Sequence, residues 1–386
     1  MPAAALPNVR PHAPVRRAGG SFYRPELDVL RFIAFLLVFL HHTLPRQGAV
    51  PHLGPQMSAL VTSFAKACGF GLCLFFALSA FLITELLVRE KDTCGKLEIK
   101  AFYIRRALRI WPLYFLGLAI GVTVALLKPV PGVLERYTAY AFLAGNWYCL
   151  AHIAGAGNSP MEILWSISVE EQFYLFWPWV AAKARKALKI AALGLLAVSA
   201  AALIVTAKIG ANTEAAWFNS FVQFGMFGAG AILSLRLRGR LLQWGIVLRS
   251  MAAFSAITLW FMASYLFHIK DPGPVTSGFK LLAGYTFVEI GCVLILLAIM
   301  GVSRAMLPRF LIYLGRISFG LYVFHVLSLH IAWNILRALH ASHAGMIEPL
   351  LGLAITIAFA SLSYRYYETP FLKLKKRLEV VQSRPV

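Results

Sequence analysis

Three residues in the first apolar stretch, Asp28, Arg31 and His42, combine types that could do chemistry together. They lie in YRPELDVLRFIAFLLVFLHH, residues 23 to 42. An imidazole titrates near neutrality and can take a proton from a weak nucleophile. A guanidinium holds phosphate with forked hydrogen bonds. On a helix, Asp28 and Arg31 share a face and can pair. Arg31 and His42 are separated by about 16 Å of rise but only roughly 20° of rotation, so they occupy one stripe near opposite ends of a span. Snorkelling would explain Arg31 and an interfacial site would explain His42. A polar stripe of this kind exceeds what packing in a membrane requires, and His42 reads as functional. His41 is turned about 100° away and is expected to face other helices or lipid.

Two further clusters carry charge into apolar surroundings. Arg105, Arg106 and Arg109 lie in FYIRRALRIWPLYF, residues 102 to 115. Their spacing suits a phosphate group, and it equally suits a topology signal at the foot of a span. Glu170 and Glu171 lie in LWSISVEEQFYLFWPW, residues 164 to 179. They could orient, or share a proton with, a histidine of another helix. They could also be interfacial acids, with Trp165 and Trp177 as belt residues. His325, in LGRISFGLYVFHV, reads as a hydrogen-bonded packing residue, and Glu368 as a partner for Arg365.

The elements that must position these residues are membrane spans. The chain has 386 residues, 59% hydrophobic and only 14% charged, with a mean hydropathy of +0.71. That leaves too few charges for the shell of a soluble domain. Apolar runs near the length of a span fall at 27–45, 69–88, 107–127, 161–182, 187–207, 217–235, 245–267, 281–302, 316–337 and 346–366. The expected fold is all-α and polytopic, with about ten transmembrane helices and both termini cytoplasmic.

The net charge of +21 suggests no nucleic acid, because Lys and Arg alternate between loops as the positive-inside rule describes. The outer regions keep only Arg46, Lys66, Lys128, Arg136, Lys208, Lys270, Lys280 and Arg337. If the short segment 137–151 spanned, every later basic loop would change sides, so 137–160 is expected to be an outer-face or re-entrant element. The expected organisation is a cytoplasmic N-terminal tail at 1–22, one membrane domain at 23–372 and a basic cytoplasmic tail at 373–386. No cleaved signal, internal repeat or appended soluble domain is evident. The five cysteines have no metal-ligand spacing and read as packing residues, with a bridge from Cys149 to Cys68 or Cys73 disfavoured.

Taken in order, these segments resemble the acyltransferase family 3 membrane proteins, the bacterial O-acyltransferases. Residues 23–31 are similar to that family's Tyr-Arg-Pro-Glu-Leu/Ile-Asp-Gly-Leu-Arg, with Val29 where Gly is usual. The family's Arg and His, ten residues between them, fall on Arg31 and His42. Residues 74–84, LFFALSAFLIT, resemble LFFxLSGFLIT, with Ala80 for Gly. The family's Arg-x-x-Arg falls on Arg106 and Arg109, and WSLSVEEQFYLxWP falls on Trp165 to Pro178. Gly315 to His325 resembles GRISYSLYLxH without the usual following Trp-Pro, and Glu368-Thr369-Pro370 fits the ending.

The resemblance covers residues 23 to about 377. It implies transfer of an acyl group, usually acetyl from acetyl-coenzyme A, to a hydroxyl of a saccharide, glycolipid or small acceptor, with no metal, in a bacterial inner membrane. In that picture His42 is the general base, with Asp28 and Arg31 in its set and Glu171 orienting or balancing it. Arg31, Arg106 and Arg109, with Arg105, hold the donor's phosphates. Glu170, Ser79, Trp165 and His325 support them. The family's frequent esterase-like domain is not seen, so transfer is expected to finish within the membrane domain. The rival from another class is a transporter of lipid-linked saccharide or a similar amphipathic substrate; no inverted repeat or pair of broken helices supports it.

Overall fold

The structure, a computed structural model, describes residues 22–44, 54–127, 132–153, 159–341, 343–379 and 381. Nearly all of the expected N-terminal tail, together with Arg46, Lys128 and Arg384, lies outside them. Regular structure among the described residues is helical: α1 Pro25–Thr43, α2 Gly54–Cys68, α3 Gly71–Cys94, α4 Ile99–Leu127, α5 Val133–Ala141, α6 Gly145–Ala151, α7 Trp165–Ala182, α8 Arg185–Lys208, α9 Thr213–Phe218, α10 Ser220–Leu237, α11 Ile246–Tyr265, α12 Gly278–Ile299, α13 Arg309–Arg316, α14 Ser318–Ala338, α15 Ala344–Leu362 and α16 Thr369–Arg377.

Local sequence explains many of the boundaries. Pro25 opens α1, and Glu26 and Asp28 occupy its first turn, where acids favour the helix dipole. Asn219 caps α10 by accepting from the Phe221 amide at 2.9 Å. Gly95, at φ 74°, ends α3 in the left-handed region.

Among the described residues, eight helical stretches are long and apolar enough to cross a membrane. Two more helices, α1 and α7, have 19 and 18 residues and match the remaining two expected spans. They carry Glu26, Asp28 and Arg31, and Glu170 and Glu171, respectively. The protein is thus an all-α, multi-pass membrane protein, and these two helices carry acidic and basic residues of the candidate site into their spans. Segment 137–151 forms α5 and α6, of nine and seven residues, too short to span.

The helices pack through small residues, as close approach in a bilayer requires. A Cβ on Gly71 of α3 would lie 2.5 Å from the Ala34 carbonyl oxygen of α1, and one on Gly230 of α10 would lie 2.0 Å from the Ala77 carbonyl oxygen of α3. Phe227 of α10 stacks between Phe76 of α3 and Phe173 of α7, at centroid distances of 5.0 and 4.4 Å.

The loops segregate by charge. At one end, Arg89 pairs with Glu85, Arg105 with Glu90 and Arg185 with Asp92. Arg24 donates to the Gly239 carbonyl there, and Arg249 donates to carbonyls of Ala298 and Met300. This is the basic end. At the far end Lys66 pairs with Asp271 at 2.6 Å, and Asn146 of α6 donates to Ser220 at the start of α10. The expected basic tail begins inside α16, which packs on α4, with Lys375 buried and paired with Glu379 at 2.5 Å.

Candidate active site

A cavity opens at the basic end between α1, α3, α4, α7 and α14. Asp28, Arg31, Ser79, Arg106, Arg109, Glu170 and Tyr174 line it, among apolar residues such as Leu78, Leu82, Ile110 and Phe319. The Asp28–Arg31 pair expected from spacing forms at 2.9 Å. The other Asp28 oxygen accepts from the Tyr23 hydroxyl at 3.0 Å. Burial pushes the Tyr23 hydroxyl above its ordinary pKa, which keeps it a donor. Asp28 is only 1% exposed, so it is a buried anchor, held by Tyr23 through one oxygen and holding Arg31 through the other.

Arg106 lies against the rings of Tyr174 and Phe102, with its guanidinium carbon 5.4 and 5.8 Å from their centroids. Arg105 turns elsewhere. It is held by Glu90 at 2.6 Å and by the Leu378 carbonyl at 3.0 Å, so the structure gives it a tethering position between α3, α4 and the C-terminal segment.

A second cavity opens at the far end. His41, His42, Lys66, Lys270, Glu162, Glu214, Trp165, Trp217, His330, Trp333 and Glu348 are among its lining residues. Trp165 packs edge-on to Phe218 at 4.9 Å. The two cavities have Leu72 and Tyr322 in common. The Tyr322 hydroxyl is fixed by Ser166 at 2.7 Å and the Ile163 carbonyl at 3.1 Å.

The histidines form a row. His41 Nδ1 lies 2.8 Å from the Ala65 carbonyl oxygen. A carbonyl only accepts, so Nδ1 carries the hydrogen and Nε2 accepts from Lys270 Nζ at 3.0 Å. The Lys270 ammonium also sits 4.0 Å from the Trp217 ring centroid. His41 therefore faces the far cavity beside His42, and not only neighbouring helices or lipid as its helical position suggested. The His42 ring lies 5.2 Å from that of His41 and 5.2 Å from that of His325. His325 is fully buried and donates from Nδ1 to the Tyr322 carbonyl at 2.6 Å, as a packing histidine would, yet it also touches the ring of His42.

The acid pair divides differently from the expectation that Glu171 meets His42. Glu170 accepts from Ser79 at 2.5 Å and from Tyr174 on the wall of the basic-end cavity. Glu171 accepts from Trp111 of α4 at 3.2 Å and lines neither cavity. Consecutive helical residues diverge by about 100°, so only one of the two can face the cavity. Glu368 is buried and accepts from Ser363 at 3.1 Å, while Arg365 lies over the Tyr366 ring.

Tyr23, Tyr174, Lys270 and Tyr322 were not singled out in the sequence. Tyr174 stands four residues after Glu170, a helical contact spacing. Lys270 was one of few cations in the outer loops. Tyr322 falls on the second Tyr of the GRISYSLYLxH resemblance, which by itself gives it no role. Among the described residues no cluster of three or more His, Cys, Asp or Glu side chains is arranged for a metal ion.

The profile of the family described as "Acyltransferase domain" matches residues 24–365, and the chain belongs to that family. A relative from Staphylococcus aureus is 26% identical over 376 residues, covering 91% of this chain and 58% of its own length. Peptidoglycan O-acetyltransferase OatA of Listeria monocytogenes is 26% identical over 375 residues, covering 91% of this chain and 56% of its own length. Nodulation protein 10 of Rhizobium leguminosarum is 27% identical over 396 residues, covering 93% of this chain and 96% of its own length. The chain thus spans less than two thirds of the Staphylococcus and Listeria relatives. No solved structure matches it.

Proposed function

We propose that this chain is a membrane O-acyltransferase that moves an acyl group, acetyl from acetyl-coenzyme A, to a hydroxyl of a saccharide, a glycolipid or a related small acceptor in a bacterial inner membrane. The observation that carries this reading is the meeting of two unlike cavities. One, at the basic end, holds Arg31, Arg106 and Arg109; the other, at the far end, holds His42; Leu72 and Tyr322 belong to both. In this reading the basic end faces the cytoplasm, where acyl-coenzyme A is made, and the start of α1 and the end of α16 lie on that side. Family membership and the name of the Listeria relative support O-acyl transfer and a glycan acceptor.

In this reading the three arginines hold the donor's phosphates by charge-assisted hydrogen bonds, and Asp28 keeps Arg31 aimed. The donor's long arm reaches past Leu72 and Tyr322 and presents the thioester to the far cavity. His42 takes the proton from the acceptor hydroxyl as its oxygen attacks the thioester carbonyl. The new C–O bond forms, the C–S bond breaks, and the departing thiolate receives that proton from His42. Carboxylates and tryptophans of the far cavity offer hydrogen-bond acceptors and flat apolar faces that suit a saccharide.

Purified protein given acetyl-labelled acetyl-coenzyme A and candidate acceptors tests this. The expected result is an alkali-labile labelled ester and one coenzyme A thiol released per ester formed. Passage of an unmodified acceptor through proteoliposomes, with no thiol released, would instead identify a transporter.

A further inference from the structure

We propose that His325 is a positioning residue for His42. Its Nε2 accepts the N–H of the His42 ring and so fixes which His42 nitrogen is left bare for the acceptor hydroxyl. This rests on the reading of His42 as the base.

The hydrogen bond to the Tyr322 carbonyl decides the tautomer of His325. Nδ1 carries the hydrogen, so Nε2 carries the lone pair. That nitrogen is buried and has no hydrogen-bond partner, on a side chain that is 0% exposed. A buried acceptor left unsatisfied carries its full desolvation penalty, and such an atom in a native fold calls for a reason.

Four rings touch the His325 ring. Phe35, Phe39 and Tyr322 lie at centroid distances of 5.9, 6.5 and 5.5 Å, and His42 is nearest at 5.2 Å. The phenylalanines have no hydrogen to give, and the Tyr322 hydroxyl is occupied with Ser166 and the Ile163 carbonyl. His42 is therefore the ring in contact that can supply an N–H. Two imidazoles joined head-on by an N–H···N bond have centroids roughly 5 Å apart, about 2.9 Å of donor–acceptor distance plus two ring radii. The 5.2 Å between the His42 and His325 ring centroids is the separation of such a pair.

The other neighbouring imidazole does not offer this service. His41 has its Nδ1 on the Ala65 carbonyl and its Nε2 on Lys270. A phenylalanine at 325 would fill the aromatic cage equally well, so packing alone does not require a histidine there. A base held in the wrong tautomer presents a hydrogen where a lone pair is needed, and transfer stops. When His42 takes up the proton, its N–H to His325 becomes a charge-assisted bond, which favours the transition state over the ground state.

The test is steady-state acetyl transfer by the purified full chain. His325→Phe keeps the ring and removes both nitrogens, whereas His325→Gln restores an acceptor oxygen near the position of Nε2. We expect His325→Phe to lower kcat by roughly tenfold to a hundredfold with KM for donor and acceptor little changed and the thermal midpoint in detergent preserved. His325→Gln should recover part of kcat. Wild-type kcat in His325→Phe would overturn the proposal, and so would equal losses in both variants. His42→Ala is measured alongside: if it retains transfer, the assignment of the base fails, whereas loss in His42→Ala with full activity in His325→Phe sinks only the present inference.

Discussion

Ser79 of α3 and Glu170 of α7 are joined by a hydrogen bond of 2.5 Å, and Tyr174 donates to the same carboxylate oxygen. This link ties two walls of the basic-end cavity together beside Arg106. A hydrogen bond to a charged group is worth about 1.5–3 kcal/mol. Ser79→Ala and Glu170→Ala should each lower the thermal midpoint of the purified protein. Because they break one network, the double variant should lose less than the sum of the single losses. Fully additive losses would show that the two residues act independently.

Donor binding should depend on Arg106 and Arg109 and much less on Arg105. Arg106→Ala or Arg109→Ala is expected to raise the apparent KM for acetyl-coenzyme A by about tenfold or more, from the loss of a charge-assisted phosphate contact. Arg105→Ala should chiefly lower stability, since it strands the buried Glu90 carboxylate it pairs with. Initial-rate kinetics and thermal unfolding on the same three preparations separate the two effects.

His42→Ala and His42→Gln should abolish transfer while the protein still inserts and accumulates. A positioned general base contributes about 10²–10⁴-fold to rate. His41→Phe should retain most activity, because both nitrogens of His41 are committed to Ala65 and Lys270. If the two variants exchange behaviour, the base is His41.

Thiol labelling checks both burial and sidedness. Cys94 is exposed, whereas Cys68, Cys73, Cys149 and Cys292 are buried. Burial pushes the Cys149 thiol up to about 12, so it stays protonated and unreactive at neutral pH, its thiolate gaining only as pH rises toward that value. Cys94 lies at the basic end of α3. A membrane-impermeant maleimide should therefore label Cys94 in inverted vesicles and not in intact cells. Labelling from outside would reverse the proposed orientation.

Much of this architecture was legible because a bilayer imposes simple constraints. Ten apolar segments foretold ten long helices, and the loop charge that argued against a crossing at 137–151 agrees with the short α5 and α6 found there. The Asp28–Arg31 pair was legible because its spacing is local. What spacing could not give was which side chains of different helices meet. The contacts of Lys270 with His41 and of His42 with His325 join residues far apart in sequence, and no periodicity encodes them. The division of Glu170 from Glu171 follows from helix rotation, but which of them faces the cavity depends on how α7 is turned against α3 and α4.

The backbone contacts at Gly71 and Gly230 have a mechanical consequence. They fix α3 between α1 and α10 with no side chain to act as a bearing. A carrier that exposes its site to each side in turn must slide or rock its halves past one another. Here such a stroke would drive carbonyl groups into neighbouring backbone at both faces of α3. On the proposed function, the helix that bears Leu72 and Ser79 serves as a bulkhead, which suits a device in which an acyl group makes the crossing while the frame around it stands still.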